Sequence, residues 1–227
     1  MMKRLLFLMA LCSVLAAHGQ KRVGRPSIHT GGISVEAHYS LQRCTPIDTL
    51  NPNPENAQPY TLKAGPDGCA FAPTPEEGRP FVVSGPMAVY IGREERLSSE
   101  PLLMEYVLVR EAVKPIKWAI ADERRVVNGH PCQKATAGDT VAWYSPSIAI
   151  PVGPVGCHGL PGLIVELSTP RWCCTLTSVQ QSRLPISVAR PRGFPIYTRE
   201  QYRRQKEGGG KLKLNTPRPG DVLPKRH

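Results

Sequence analysis

The residues that come closest to a reactive set are His130-x-Cys132 and the adjacent Cys157-His158. Two thiols and two imidazoles form a donor set that suits zinc or copper. Neither pair has a zinc-finger spacing, and metal ligation competes with oxidation, which would consume the thiols. Cys157 beside His158 does not form a nucleophile–base dyad: neighbouring strand residues point to opposite faces, whereas a base has to face its nucleophile. The chain holds no Gly-x-Ser-x-Gly elbow, no His-Glu-x-x-His, no P-loop and no dinucleotide fingerprint. Glu94, Glu95, Asp122 and Glu123 sit among basic residues in expected turns and are read as surface solvation. The sequence thus nominates no catalytic residue and no cofactor, and an enzyme is the less favoured reading.

The remaining cysteines point to disulfides. Of seven, Cys12 lies in an apolar N-terminal run; Cys44, Cys69, Cys132, Cys157, Cys173 and Cys174 leave an even number for the rest of the chain. Cys44 and Cys69 are expected to bridge, closing a proline-rich stretch at a gain of roughly 3 kcal/mol in the chain-entropy model. Adjacent Cys173 and Cys174 point to opposite faces of a strand, so each needs a different partner, with Cys132 and Cys157 available and the assignment open.

An even cysteine count fits the N-terminus. Lys3 and Arg4 precede an apolar run from Leu5 to Ala17, followed by His18 and Gly19. The run is too short to span a bilayer and reads as a secretory signal over 1–19, cleaved near Gly19. Met9-Ala10-Leu11-Cys12 is a poor lipidation signal, because the cut would fall inside the apolar run. The expected location is the periplasm or outer envelope. The formal net charge of +11 would suggest nucleic acid in a cytoplasmic protein; export disfavours it. From Arg199 onward nine Lys or Arg face three acids, so most of the excess charge is C-terminal. Residues 208–227, rich in Gly, Pro and Lys, read as a disordered basic tail with anionic surfaces as its expected partner.

The elements between are expected to be strands. Ile33, Val35, Ala37, Tyr39 and Leu41 alternate with polar residues, the period of a strand with one wet face. Residues 44–80 carry eight prolines and read as an irregular excursion. Short apolar runs follow, from Phe81 to Ala189, each bounded by Gly, Pro, Asn or Asp, with no long helical pattern between. Connections this short require antiparallel pairing. The run Leu102 to Val109, apolar on both faces, is expected to be one central strand. Thr198 and Gln201 form a capping box for one helix packed by Tyr202 and ended by Gly208. The fold class is therefore mainly β: a single domain over 20–207, an antiparallel meander curled into a sheet or half-barrel, with one short C-terminal helix.

Within Gly159-Leu160-Pro161-Gly162-Leu163-Ile164, Pro161 sets φ and Gly162 is expected to take the positive φ of a type II turn. Around it stand Trp118, Asn128-Gly129-His130-Pro131-Cys132-Gln133-Lys134-Ala135-Thr136, Ala142-Trp143-Tyr144, Ile150-Pro151, Gly153-Pro154 and Pro195-Ile196-Tyr197-Thr198-Arg199-Glu200-Gln201-Tyr202. In order and spacing these resemble the GLPGLI family of exported Bacteroidetes-type proteins, over about Tyr106 to Tyr202. The resemblance implies no reaction and carries over no catalytic residue. Cys132 matches the family pattern, whereas Cys157, His158, Cys173 and Cys174 depart from it. Two functions of different class are expected. The first is a non-enzymatic envelope protein whose curled sheet, with Trp118, Trp143 and Trp172, binds a hydrophobic ligand or docks an envelope partner. The second is a metal-handling or hydrolytic protein using His130, Cys132, Cys157 and His158.

Overall fold

The computed structural model describes residues 32–44, 57–75 and 88–208. The expected signal peptide, the tail beyond Gly208 and the run at Phe81 lie outside them. Twelve strands form one sheet: β1 (Ser34–Arg43), β2 (Gln58–Gly65), β3 (Gly68–Pro73), β4 (Val89–Ile91), β5 (Glu95–Leu102), β6 (Glu105–Ala112), β7 (Ala119–Val127), β8 (His130–Ala137), β9 (Thr140–Ser145), β10 (Leu163–Ser168), β11 (Trp172–Ser182) and β12 (Ile196–Thr198), followed by helix α1 (Arg199–Glu207). Their order is β12-β6-β5-β4-β3-β2-β1-β11-β10-β9-β8-β7. Two antiparallel meanders, β1 to β6 and β7 to β11, are joined where β1 pairs with β11, and β12 adds to β6 in parallel.

Topology forces the sheet to curl. From β6 to β7 the chain moves between strands ten positions apart in the sheet, about 48 Å in a flat sheet. The link from Ala112 to Ala119 has seven peptide steps, which reach about 25 Å at most. The two ends of the sheet must therefore approach one another, as the half-barrel reading requires, although β7 and β12 do not pair and the barrel stays open.

Two expectations about particular segments are corrected. The excursion over 44–80 is not irregular throughout: β2 and β3 form a hairpin inside it, turning at Pro66-Asp67. Tyr60, Leu62, Ala64, Cys69 and Phe71 alternate onto the concave face, where Phe71 stacks on Tyr60 at 4.9 Å and meets Tyr39 edge-on at 5.9 Å. The run Leu102 to Val109 is not one strand either. It breaks into the β5–β6 hairpin at Leu103 and Met104, 63% and 98% exposed, with Leu103 at φ 57°.

Both faces of the sheet are covered. Residues 146–162, joining β9 to β10, form a strap across the concave face and bury Ile148, Ile150, Val152 and Leu160 in one core with residues of β1, β2 and β10. A buried connection needs its backbone groups satisfied. Here Leu163 N–H donates to Ile148 O at 2.9 Å, Ile164 N–H to Val152 O at 3.1 Å and Gly159 N–H to Pro151 O at 2.9 Å. On the convex face Val188, Phe194 and Ile196 pack over Ala70, Ala72 and Ala88, whose small side chains let the return segment lie close. Helix α1 caps the β5–β6 end of the concave face through Tyr202, packed on Leu102, Val107 and Val109. Its capping box is formed as the sequence indicates, with Gln201 N–H donating to Thr198 Oγ1 and Thr198 N–H to Gln201 Oε1, an arrangement worth about 1 kcal/mol.

Candidate functional site

Between the strap and the first turn of α1 the concave face has an uncovered strip, and this is the candidate site. It is a groove of about 590 Å³ floored by β5 and β6. Arg96 and Glu111 lie directly opposite one another across those strands and so share a face. Glu111 accepts from Arg96 Nη1 at 3.3 Å and from Arg199 Nε and Nη2 at 3.2 and 2.8 Å, while Arg199 Nη1 also donates to Glu100 at 3.1 Å. The hydrogen bonds from Arg199 hold the Glu111 carboxyl below the usual range, with the charges of Arg199, Arg96 and Lys114 acting the same way. A lowered carboxyl pKa stabilises the fold above the ordinary glutamate value of about 4.3; that contribution is lost as pH falls through the lowered value. Arg199, where the C-terminal excess of positive charge begins in the sequence, is thus a partly buried anchor of α1.

The strap supplies the opposite wall through Val155, Gly156, Cys157 and His158. Its 3-10 turn at Pro154–Gly156 puts Gly156 at φ 77°, where a Cβ would meet Val89 Cγ1 at 2.8 Å and Arg96 Nε at 3.2 Å, so the backbone is pressed against the arginine. His158 is 8% exposed. Its Nδ1 lies 3.0 Å from Gly156 O, and a carbonyl only accepts, so Nδ1 carries the proton. Nε2 is buried without a hydrogen-bond partner, an arrangement that costs about 1 to 3 kcal/mol when nothing fills it. The backbone of His158 is fixed from the other side, where Trp118 Nε1 donates to its carbonyl at 2.9 Å.

The four residues expected to form a metal or hydrolytic cluster are divided. Cys157 and His158 line this groove, whereas Cys132 lines another, of about 360 Å³, with Arg124, Arg125, Val126, Pro131 and Pro146 at the β7–β8 edge. Cys132 Sγ donates to His130 O at 3.3 Å. Among the described residues no group of three or more His, Cys, Asp or Glu is placed to share an ion. The turn at Pro154–Gly156 packs against β3 and β4, and the cluster is not assembled.

The cysteine pairing is corrected as well. Cys44 bonds Cys173, not Cys69, because β2 lies between the strands that carry Cys44 and Cys69, while Arg43 lies opposite Trp172 on β11 and places Cys44 beside Cys173. Cys173 and Cys174 do face opposite ways: Cys174 is fully buried on the concave side. Cys69, Cys132, Cys157 and Cys174 are free thiols. Burial pushes Cys69 and Cys157 up to about 12, and raises Cys132 and Cys174 too. A thiol held protonated is neither nucleophile nor ready ligand at neutral pH. In native protein at pH 8 all four should resist iodoacetamide and react only in guanidinium; peptide mapping that finds Cys157 labelled in the native state would contradict this environment.

The hexapeptide is a structural element as the sequence suggests, but by a different device. Gly162 does not adopt a positive φ; Gly159 does, at 91°. Gly162 N–H donates to Leu160 O at 2.8 Å, closing a three-residue turn over Pro161. Leu160, Leu163 and Ile164 are 1%, 0% and 0% exposed. The tryptophans divide too: Trp118 braces His158, while Trp143 and Trp172 lie under Arg125 and Arg43 at 4.1 and 5.6 Å.

Sequence reasoning missed Arg96, Glu111 and Lys114 as groove residues. They come from separate strands and a connection, and no local spacing marks them.

The fold and site together define an open, curled antiparallel sheet with a strapped concave face and a cationic groove beside the strap. No family model matches the chain, and no curated protein does. Among solved structures it is similar to PNGF-II in two crystal forms, at 13% and 14% identity and a TM-score of 0.48, covering 77% of this chain and 33% of that one. The chain thus spans about a third of the length of PNGF-II, and an overlap at that score carries neither an activity nor a site to it. No helix among the described residues is long and apolar enough to cross a membrane.

Proposed function

We propose that this is an exported, non-enzymatic envelope protein of the GLPGLI type that docks a partner on its outer surface instead of enclosing a hydrophobic ligand. The observation that supports it is the strap: Ile148, Ile150, Val152 and Leu160, all 3% exposed or less, occupy the concave face where an apolar ligand would lie. The neighbouring grooves are lined by charge; the one beside Trp172 carries Arg43, Arg171 and Lys206. Export rests on the Lys3-Arg4 and Leu5 to Ala17 pattern, and the Cys44–Cys173 bond suits an oxidising compartment. The basic run after Gly208, with Lys211, Lys213, Arg218, Lys225 and Arg226, adds a salt-sensitive attraction to anionic surfaces. Native mass spectrometry of protein purified from its host should show no lipid or other apolar molecule bound. A lipid or other apolar molecule travelling with it would overturn the docking reading in favour of a carrier.

A further inference from the structure

We propose that the groove between the strap and helix α1 binds an anionic group, a carboxylate or phosphate ester, on a molecule that also offers a hydroxyl to His158 Nε2. The inference rests on the reading of this chain as a binding protein and names the chemistry of what is bound.

Three observations carry it. First, the lining is asymmetric: Arg96, Arg110, Lys114 and Arg199 stand against Glu111 and the Glu100 that Arg199 also bonds, four positive charges to two negative. Arg96 and Arg199 are engaged by Glu111, and Arg199 by Glu100 as well, while Arg110 and Lys114 have no salt bridge among the described residues. The excess is therefore not consumed internally, and a cleft with low-dielectric walls concentrates it. Second, the same guanidinium groups already hold one carboxylate, Glu111, at 2.8 to 3.3 Å, so their geometry suits such an anion. Third, His158 lines the groove with one ring nitrogen lacking a hydrogen-bond partner. Its Nδ1–H is taken by Gly156 O, and Nε2 is buried and unpartnered. A neutral imidazole nitrogen of this kind takes a proton donor, which a carboxylate or phosphate alone does not supply but a hydroxyl on the same molecule does. The volume of about 590 Å³ falls within the range of small-molecule sites and exceeds the needs of one ion, so the anion is the end of a larger ligand.

Calorimetry and ¹⁵N-histidine NMR on the full chain at low salt and neutral pH test this, with inorganic phosphate, glycerol 1-phosphate, acetate, lactate and glycerol as probes. The hydroxylated anions should bind about tenfold more tightly than their simple counterparts, and glycerol should not bind. Comparing glycerol 1-phosphate with lactate tells a phosphate from a carboxylate source. Lys114→Gln, at an exposed position, should weaken binding about tenfold without changing the far-UV spectrum. The His158 Nε2 resonance should move with glycerol 1-phosphate or lactate. The proposal is overturned if no anion binds more tightly than glycerol, if Lys114→Gln binds as well as the native chain, or if binding leaves the His158 resonance unmoved. Native mass spectrometry reads the concave interior and calorimetry reads this groove, so either reading can fail while the other stands.

Discussion

Replacing Gly162 by alanine should cost about 3 kcal/mol or more of folding stability, the largest effect expected of any single methyl group in the hexapeptide. A Cβ at that position would lie 2.2 Å from Ser145 O, 2.7 Å from Ser145 C and 3.0 Å from Pro146 Cα. These are backbone atoms at the end of β9, where Ser145 is fully buried and its hydroxyl donates to Pro131 O at 3.0 Å. They cannot step aside without moving the strap, and the strap anchors the concave core. Gly159 is the control. It has φ 91° and no heavy atom within 4 Å of an added Cβ, so alanine there should cost only the left-handed backbone penalty of about 1 to 2 kcal/mol. Urea unfolding of both variants checks the order. If Gly159→Ala proves the more damaging, a dihedral requirement and not close approach dominates the motif.

Removing the Cys44–Cys173 bond should cost roughly 4 to 5 kcal/mol in the chain-entropy model, because the bond closes a separation of 129 residues. It fastens β1 to β11 at the junction of the two meanders, and only this pairing of strands makes one sheet of the two. Cys44→Ser with Cys173→Ser should lower the melting temperature by about 10 to 15 °C for a domain of this size, and dithiothreitol should do the same to the native protein while leaving the double variant unmoved. A double variant that melts with the native protein would show that the β1–β11 pairing holds without the bond. Because Cys69 and Cys174 are buried at 3% and 0% exposure, replacing them by serine acts through packing instead, and reductant should not reproduce that loss.

Some of this architecture is written locally. The alternation from Ile33 to Leu41 marks β1, and Thr198 with Gln201 marks the start of α1, because period and capping are properties of a few neighbouring residues. The β2–β3 hairpin is hidden by the prolines around it: Pro59 and Pro73 lie at strand ends, where the loss of a donor is tolerated, and only pairing shows this. The β5–β6 turn at Leu103-Met104 carries no Gly, Asn, Asp or Pro, so turn chemistry does not announce it.

The candidate site is the extreme case. Composition and motif spacing indicate that the chain is β-rich, has cysteines able to bridge, and turns a corner around Pro161. They also place His158 next to Cys157, which suggests a reactive cluster. Tertiary structure decides otherwise. Burial keeps the Cys157 thiol protonated, Cys132 lines a different groove, and His158 lines one with Arg96, Lys114 and Arg199. Those partners are brought together by the curl of a sheet whose ends must meet, because seven peptide steps cannot span ten strands. That constraint is a property of the whole topology, and no stretch of sequence contains it.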